Sequence, residues 1–264
     1  MKKTILRIQK KINGKFMQKF FEDLHSFALH GMGYGEGGDF RDSGEVKVIN
    51  YIRNKAGKNV TLFDVGANIG NYSLLLKDKF PNSSIFSFEP SKKTFEKLKL
   101  NIKDKKNILS VNCGLGAKEE TRILYYNYEL SGLSSLYKRK WDNYDVDLDK
   151  EEKVKIITLD KFCRDKNINH IDFLKIDVEG NEFNVLKGAQ DMLSKRRIRF
   201  IQFEFGGQDV DAKTFFRDFW TLLNKNYKFY RIFPGGIYPI KDYTEKREIY
   251  SAMNYFLELK EKSH

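Results

Sequence analysis

The stretch Asp64-Val65-Gly66-Ala67-Asn68-Ile69-Gly70-Asn71-Tyr72-Ser73 follows directly on the apolar run Val60-Thr61-Leu62-Phe63. The run reads as a buried strand ending at Val65. Beyond the bend, Tyr72, Leu74, Leu75, Leu76 and Phe80 recur at helical spacing. Gly66 and Gly70 let the chain turn sharply and bring its backbone against a ligand. The helix that begins beside the bend turns its free N–H groups the same way. Strand, glycine bend and helix together form the opening unit of a nucleotide-binding sheet.

The same alternation continues outward. Ser84–Phe88 reads as a second strand, followed by a lysine-rich helix around Phe95, Leu98 and Ile102, and Ile108–Asn112 reads as a third strand. Arg122–Tyr126 and Val154–Thr158 read as extended segments flanking an irregular polar stretch. Ile171–Ile176 is a strand leading to a helix through Phe183, Val185, Leu186 and Leu193. Arg199–Phe203 is another, with a helix over Phe215–Leu223, and Tyr227–Phe233 and Ile249–Leu257 close the series as strands. Strands alternating with helices predict an α/β fold with a mostly parallel sheet covered on both faces. A ligand then sits beyond the carboxyl ends of the strands. A helical or lid segment is expected over 1–58 and the sheet domain over 59–264.

Glu89, at the end of the second strand, stands where nucleotide-binding sheets place a carboxylate that accepts hydrogen bonds from ribose hydroxyls. A dinucleotide site would require G-x-G-x-x-G, whereas this chain has G-x-x-x-G preceded by Asp64. S-adenosylmethionine, which carries a sulfonium cation and no phosphate, suits an acid before the loop. Asp64, Gly66, Asn68, Gly70, Ser73 and Glu89 are therefore expected to hold it, with Asn112 and Cys113 bordering the adenine.

Three stretches resemble the FkbM-type S-adenosylmethionine-dependent methyltransferases: Phe63–Ser73, Ile157-Thr158-Leu159-Asp160, and Asp172–Ala189 with its Asp177-Val178-Glu179-Gly180 turn. A smaller match is Ser131–Ser135. The resemblance covers about Val60 to Phe205. It implies the seven-stranded class I methyltransferase (Rossmann-like) fold, with its last strand antiparallel, and transfer of methyl to an oxygen, commonly a hydroxyl of a sugar or natural product.

Methyl transfer is an in-line displacement that needs an oriented acceptor and a base. Asp177, Glu179 and Glu204 lie at the ends of the fourth and fifth strands and could meet at one point; Asp177 also lies close enough to touch the cofactor's amino group. Such a cluster suits a base or a divalent metal such as magnesium. Of the four histidines, His30, beside the glycine-rich stretch Gly31–Asp39, is the one expected near the cofactor. Tyr34, Glu36 and Glu45 are expected on a lid. The segment Ser131–Asp149, with Trp141, is a candidate wall for the acceptor.

A formal net charge of +12, from 48 Lys and Arg against 36 Asp and Glu, favours an anionic partner. Nucleic acid, a nucleotide-linked sugar, an acidic glycan and an anionic membrane surface all qualify. The fourth strand ends without the Asn/Asp-Pro-Pro-Tyr turn of base N-methyltransferases, which argues against RNA or DNA; the family resemblance together with the charge implies a sugar hydroxyl, nucleotide-linked or in a bacterial surface polysaccharide, with a natural-product methyltransferase and a non-catalytic scaffold on the cofactor fold as the remaining alternatives. Cys113 and Cys163 are expected to be reduced, with no disulfide. No apolar run is long enough to cross a bilayer and no secretory signal is visible, so a cytoplasmic protein is expected. The first 30 residues read as a helix with one basic face. It is expected to cap the domain or form a homodimer contact, with an anionic membrane surface as the alternative.

Overall fold

Adjacent residues of the central strands point into different cores in the computed structural model, which describes residues 14–35, 39–127, 132–139 and 148–261. Leu62, Phe173, Phe200 and Phe256 belong to one buried cluster, and Phe63, Leu174, Ile201 and Leu257 to the other. This is the period-two alternation of a sheet with helices on both sides. The strands are β1 (Thr61–Val65), β2 (Ser84–Phe88), β3 (Ile108–Val111), β4 (Gly114–Leu115), β5 (Glu120–Tyr126), β6 (Lys150–Ile157), β7 (Ile171–Ile176), β8 (Ile198–Phe205), β9 (Tyr227–Phe233), β10 (Gly236–Ile240) and β11 (Met253–Leu259). The main sheet has the order β10-β9-β11-β8-β7-β1-β2-β3. Its β3-β2-β1-β7-β8 half is parallel, while β11 runs antiparallel to both β8 and β9.

The α/β class is as expected, but the sheet has eight strands rather than seven. The extra one, β10, folds back on β9 across Pro234-Gly235. A proline and glycine between two apolar runs make a tight hairpin turn, and Pro239 is tolerated because β10 is an edge strand. β11 begins at Met253, later than the expected Ile249.

One face is covered by α2 (Glu45–Ala56) and α3 (Asn71–Lys79), whose Val48, Ile49, Ile52, Tyr72 and Leu76 are buried. Residues 45–56, which fall in the segment expected to precede the sheet domain, thus pack into that domain's core. The other face is covered by α5 (Leu159–Asp165), α6 (Glu182–Lys187), α7 (Gln190–Ser194) and α9 (Phe216–Leu223). Helix α4 (Lys92–Ile102) joins β2 to β3, and α8 (Gln208–Ala212) follows β8. Each fully buried Phe, such as Phe63, Phe173 or Phe203, contributes roughly 1.5–3 kcal/mol.

A small second sheet, β4-β6-β5, stands beside the main one with its own cluster of Leu124, Leu136, Val154 and Ile156. β5 and β6 are the two extended segments expected on either side of the polar stretch, and they pair antiparallel.

The N-terminal helix, α1 (Gln18–Gly31), buries none of its residues. Phe16, Phe20, Leu24 and Phe27 remain exposed, so the expectation that this apolar face caps the domain is not met. Only its end docks, through Leu29 and Met32. Residues 1–13, where the expected helix begins, lie outside the described residues. Among the described residues no helix is long and apolar enough to cross a membrane.

Candidate functional site

The bend after β1 is held by its neighbours on both sides. The N–H groups of Gly66 and Ala67 donate to the Phe88 carbonyl at 3.0 and 2.9 Å. Gly66 takes a φ of +85°, and a Cβ there would lie 1.7 Å from the Asp177 carbonyl oxygen. Gly70, with a φ of +92°, starts α3 and packs on Leu98. The Glu89 carboxylate is gripped by two backbone donors, the Asn68 N–H at 3.0 Å and the Ser91 N–H at 2.9 Å. Burial pushes this carboxyl up to about 7 despite those donors.

Two cavities open at the carboxyl ends of the strands. The smaller, about 610 Å³, is lined by Glu89, Thr94, Leu115, Leu124, Leu136 and Ile156 among others. The larger, about 2020 Å³, includes Arg41, Glu45, Tyr72, Arg139, Lys175 and Glu204. Gly66, Asn68, Gly132, Asp177 and Glu179 border both. Asn68 Oδ1, at this junction, is buried without a hydrogen-bond partner among the described residues.

Asp177, Glu179 and Glu204 come together as expected, with one oxygen of each within 4.8 Å of the others. Lys175, buried in β7, places its Nζ 2.9 Å from Asp177 and 3.9 Å from Asp64, above the Tyr72 ring at 4.6 Å. Burial opposes its charge, but Asp177, Asp64 and Glu45 more than offset this and hold its pKa above the ordinary lysine value. Arg139 donates to Glu179 at 2.6 Å, and the Gln208 amide donates to Glu204 at 2.8 Å. Burial, reinforced by the Asp177 charge, pushes Glu179 up to about 8 and Glu204 well above the carboxylate range. Two of the three carboxylates thus carry a cationic partner from the chain itself. The turn that presents them is pinned by Glu182, whose buried carboxylate accepts from the N–H groups of Val178 and Gly180 at 2.8 and 2.9 Å.

Several expected site residues sit elsewhere. Asp64 lies on the same face of β1 as Leu62, under α3, and is fully buried. It accepts from Ser73 Oγ at 2.6 Å, Ser73 contacts Ser87 Oγ at 2.7 Å, and neither Asp64 nor Ser73 lines a cavity. They tie the loop from beneath rather than face a ligand, because both sides of a central strand are covered. Gly70 also lines neither cavity; its role is the turn. Asn112 uses its amide to hold the carbonyls of Glu89 and Pro90 at 2.9 and 3.1 Å, and Cys113 is buried, its thiol pushed up to about 11 by burial. Gly114 and Leu115 border the smaller cavity in their place.

His30 is exposed at the end of α1 and lines neither cavity. Of the expected lid, Tyr34 is buried in the core with its hydroxyl 3.5 Å from that of Tyr255. Glu45 is buried, bonded to Ser43 at 3.0 Å and to Gln202. Glu36 lies outside the described residues, as do Ser131 and Trp141 of the expected acceptor wall; Gly132, Leu133, Ser134, Leu136 and Arg139 of that segment do line the cavities. Both cysteines are free and buried, as expected.

Lys175, Arg139, Gln208 and Glu182 were not singled out by sequence reading. A lysine inside the apolar run Ile171–Ile176 was the one available signal, since an unpaired charge does not survive in a covered strand.

Residues 64–229 match the methyltransferase FkbM domain. The chain belongs to this family. The FkbM match begins at Asp64 on β1 and ends in β9, so it includes both walls of the cluster. The chain is 30% identical over 145 residues to Methyltransferase 1 of Beauveria bassiana, covering 49% of this chain and 58% of that protein. It is 26% identical over 171 residues to the hexuronic acid methyltransferase AglP of Haloferax volcanii, covering 64% and 65%. It is 25% identical over 161 residues to the 2-O-methyltransferase NoeI of Sinorhizobium fredii, covering 56% and 64%. The chain thus spans 58% to 65% of the length of these relatives.

The raised carboxyls of this FkbM domain have a consequence for stability. Glu89 at about 7, and Glu179 and Asp209 at about 8, keep protons in the folded chain that an unfolded carboxyl has already lost. Between the ordinary carboxylate range and about pH 8 the folded state binds more protons, so stability falls as pH rises through that window. Thermal melts are expected to show a lower midpoint at about pH 8.5 than at about pH 6; a midpoint that climbs over this interval would contradict it.

Proposed function

We propose that this domain transfers a methyl group from S-adenosylmethionine to a hydroxyl of a sugar, either nucleotide-linked or part of a bacterial surface polysaccharide. The observation that carries the reading is the Glu89 carboxylate, fixed by two backbone N–H groups at the mouth of the smaller cavity and beside a glycine bend. Its remaining lone pairs suit ribose hydroxyls, and the aliphatic wall of Leu115, Leu124, Leu136 and Ile156 suits the flat face of a base. The orphaned Asn68 Oδ1 suits a donor arriving at the junction of the cavities. When bound there, the cofactor supplies an electrophilic methyl on a sulfonium.

Asp177 borders both cavities, and its carboxylate, 41% exposed, takes the proton of the acceptor hydroxyl. Lys175 holds that carboxylate in place. Glu179 and Glu204, whose charged forms burial disfavours, orient the acceptor by hydrogen bonds. The names of the relatives AglP and NoeI support a hydroxyl-bearing, sugar-type acceptor.

Titration calorimetry with S-adenosylmethionine tests the reading. Glu89→Gln is expected to weaken binding by about 10- to 100-fold, the worth of hydrogen bonds to a charged group. Unchanged affinity in that variant would remove Glu89 from the cofactor site.

A further inference from the structure

Helix α1 presents an apolar stripe to solvent. Phe16 is 94% exposed, Phe27 76%, Phe20 54% and Leu24 48%. At 100° per residue Phe20, Leu24 and Phe27 of α1 fall within an arc of about 60°, and Phe16 stands in the 3₁₀ turn Lys15–Met17 that leads into the helix. The described residues leave this seam uncovered, while the opposite side of the helix docks through Leu29 and Met32. Three exposed phenylalanines in one seam are more than a solvated face tolerates without a partner.

The charges of the sequence that leads into the seam point to the partner. From Met1 to Lys19 the sequence holds seven basic residues, Lys2, Lys3, Arg7, Lys10, Lys11, Lys15 and Lys19, and no acidic one. Lys19 borders the seam and pairs with Asp23 at 2.7 Å. A second copy packing seam to seam would bring two sets of like charges together, which opposes association. An anionic lipid surface supplies the opposite charge and accepts aromatic side chains at its headgroup boundary.

We propose that α1 and the basic segment preceding it dock this domain on an anionic membrane surface, with Phe16, Phe20, Leu24 and Phe27 entering the headgroup layer.

The test is co-sedimentation of the full chain with vesicles of phosphatidylcholine, with or without about 30 mol% phosphatidylglycerol. Binding is expected to rise at least about tenfold with the anionic lipid and to fall as salt is raised from about 0.1 M to about 0.5 M. The double variant Phe16→Ser, Phe27→Ser changes two exposed side chains, so its melting temperature should match the wild type while its vesicle binding drops about tenfold or more. Replacing Lys2, Lys3, Lys10 and Lys11 by Gln should remove the preference for anionic lipid. Binding indifferent to phosphatidylglycerol, or unchanged in the Phe variant, would overturn the proposal. So would a concentration-dependent dimer in sedimentation velocity that the Phe variant abolishes, because the seam would then belong to a second copy.

Discussion

Asp177→Asn is expected to lower turnover by about 10²- to 10⁴-fold and to leave the affinity for S-adenosylmethionine within about threefold of the wild type, the signature of a lost proton acceptor. Of the three clustered carboxylates, Asp177 borders both cavities and is the one paired with a buried lysine. Glu179 and Glu204 are each engaged by a neighbour, Arg139 and Gln208, and burial disfavours their charged forms. Glu179→Gln and Glu204→Gln are accordingly expected to lose no more than about tenfold, the scale of one hydrogen bond. The measurement is transfer of labelled methyl to whichever nucleotide sugar in a panel the wild type accepts. Wild-type turnover in Asp177→Asn, or equal losses in all three variants, would show that the proton leaves by another route.

The second large effect belongs to the bend. Gly66→Ala places a methyl group 1.7 Å from the Asp177 carbonyl oxygen on a backbone with a φ of +85°. The left-handed conformation costs a non-glycine residue about 1–2 kcal/mol, and displacing a packed backbone costs about 1–3 kcal/mol more. For a chain of this size the two together lower the melting temperature by on the order of 10 °C. Cofactor affinity should collapse as well, because Asn68 and Asp177 are moved together. Gly57→Ala separates the two causes. Gly57 has a similar φ of +87° but nothing within 4 Å of its Cβ position, so only the backbone cost remains. Equal melting shifts in the two variants would mean that the close approach to Asp177 is unimportant.

The strands and their alternation were legible because burial on both faces forces continuous apolar runs, and β1, β7 and β8 match their expected positions within a few residues. The added strand β10 escaped because its outward residues are exposed and it carries Pro239, both of which weaken a strand signal. At the site, Glu89 and the trio Asp177, Glu179 and Glu204 could be placed because each lies at or just beyond the carboxyl end of a strand. The position of Asp64 on β1 is clear from the sequence, but the helix that lies over that face and buries its carboxyl is a tertiary fact. The partners Arg139 and Gln208 reach the cluster from segments about 40 and 4 residues away from the carboxylates they hold. Such long side chains leave no periodic trace, and the Arg139 contact spans a stretch with no regular pattern.

Glu179 takes a φ of 54°, a conformation that non-glycine residues seldom adopt, and its carbonyl oxygen accepts from Ser135 Oγ at 2.6 Å. Directly beside it, Gly180 adopts a φ of 103° at no steric cost. The turn therefore tolerates a locally unfavourable geometry at the very position that supplies an acid group, where a glycine would relax the main chain and erase the chemistry.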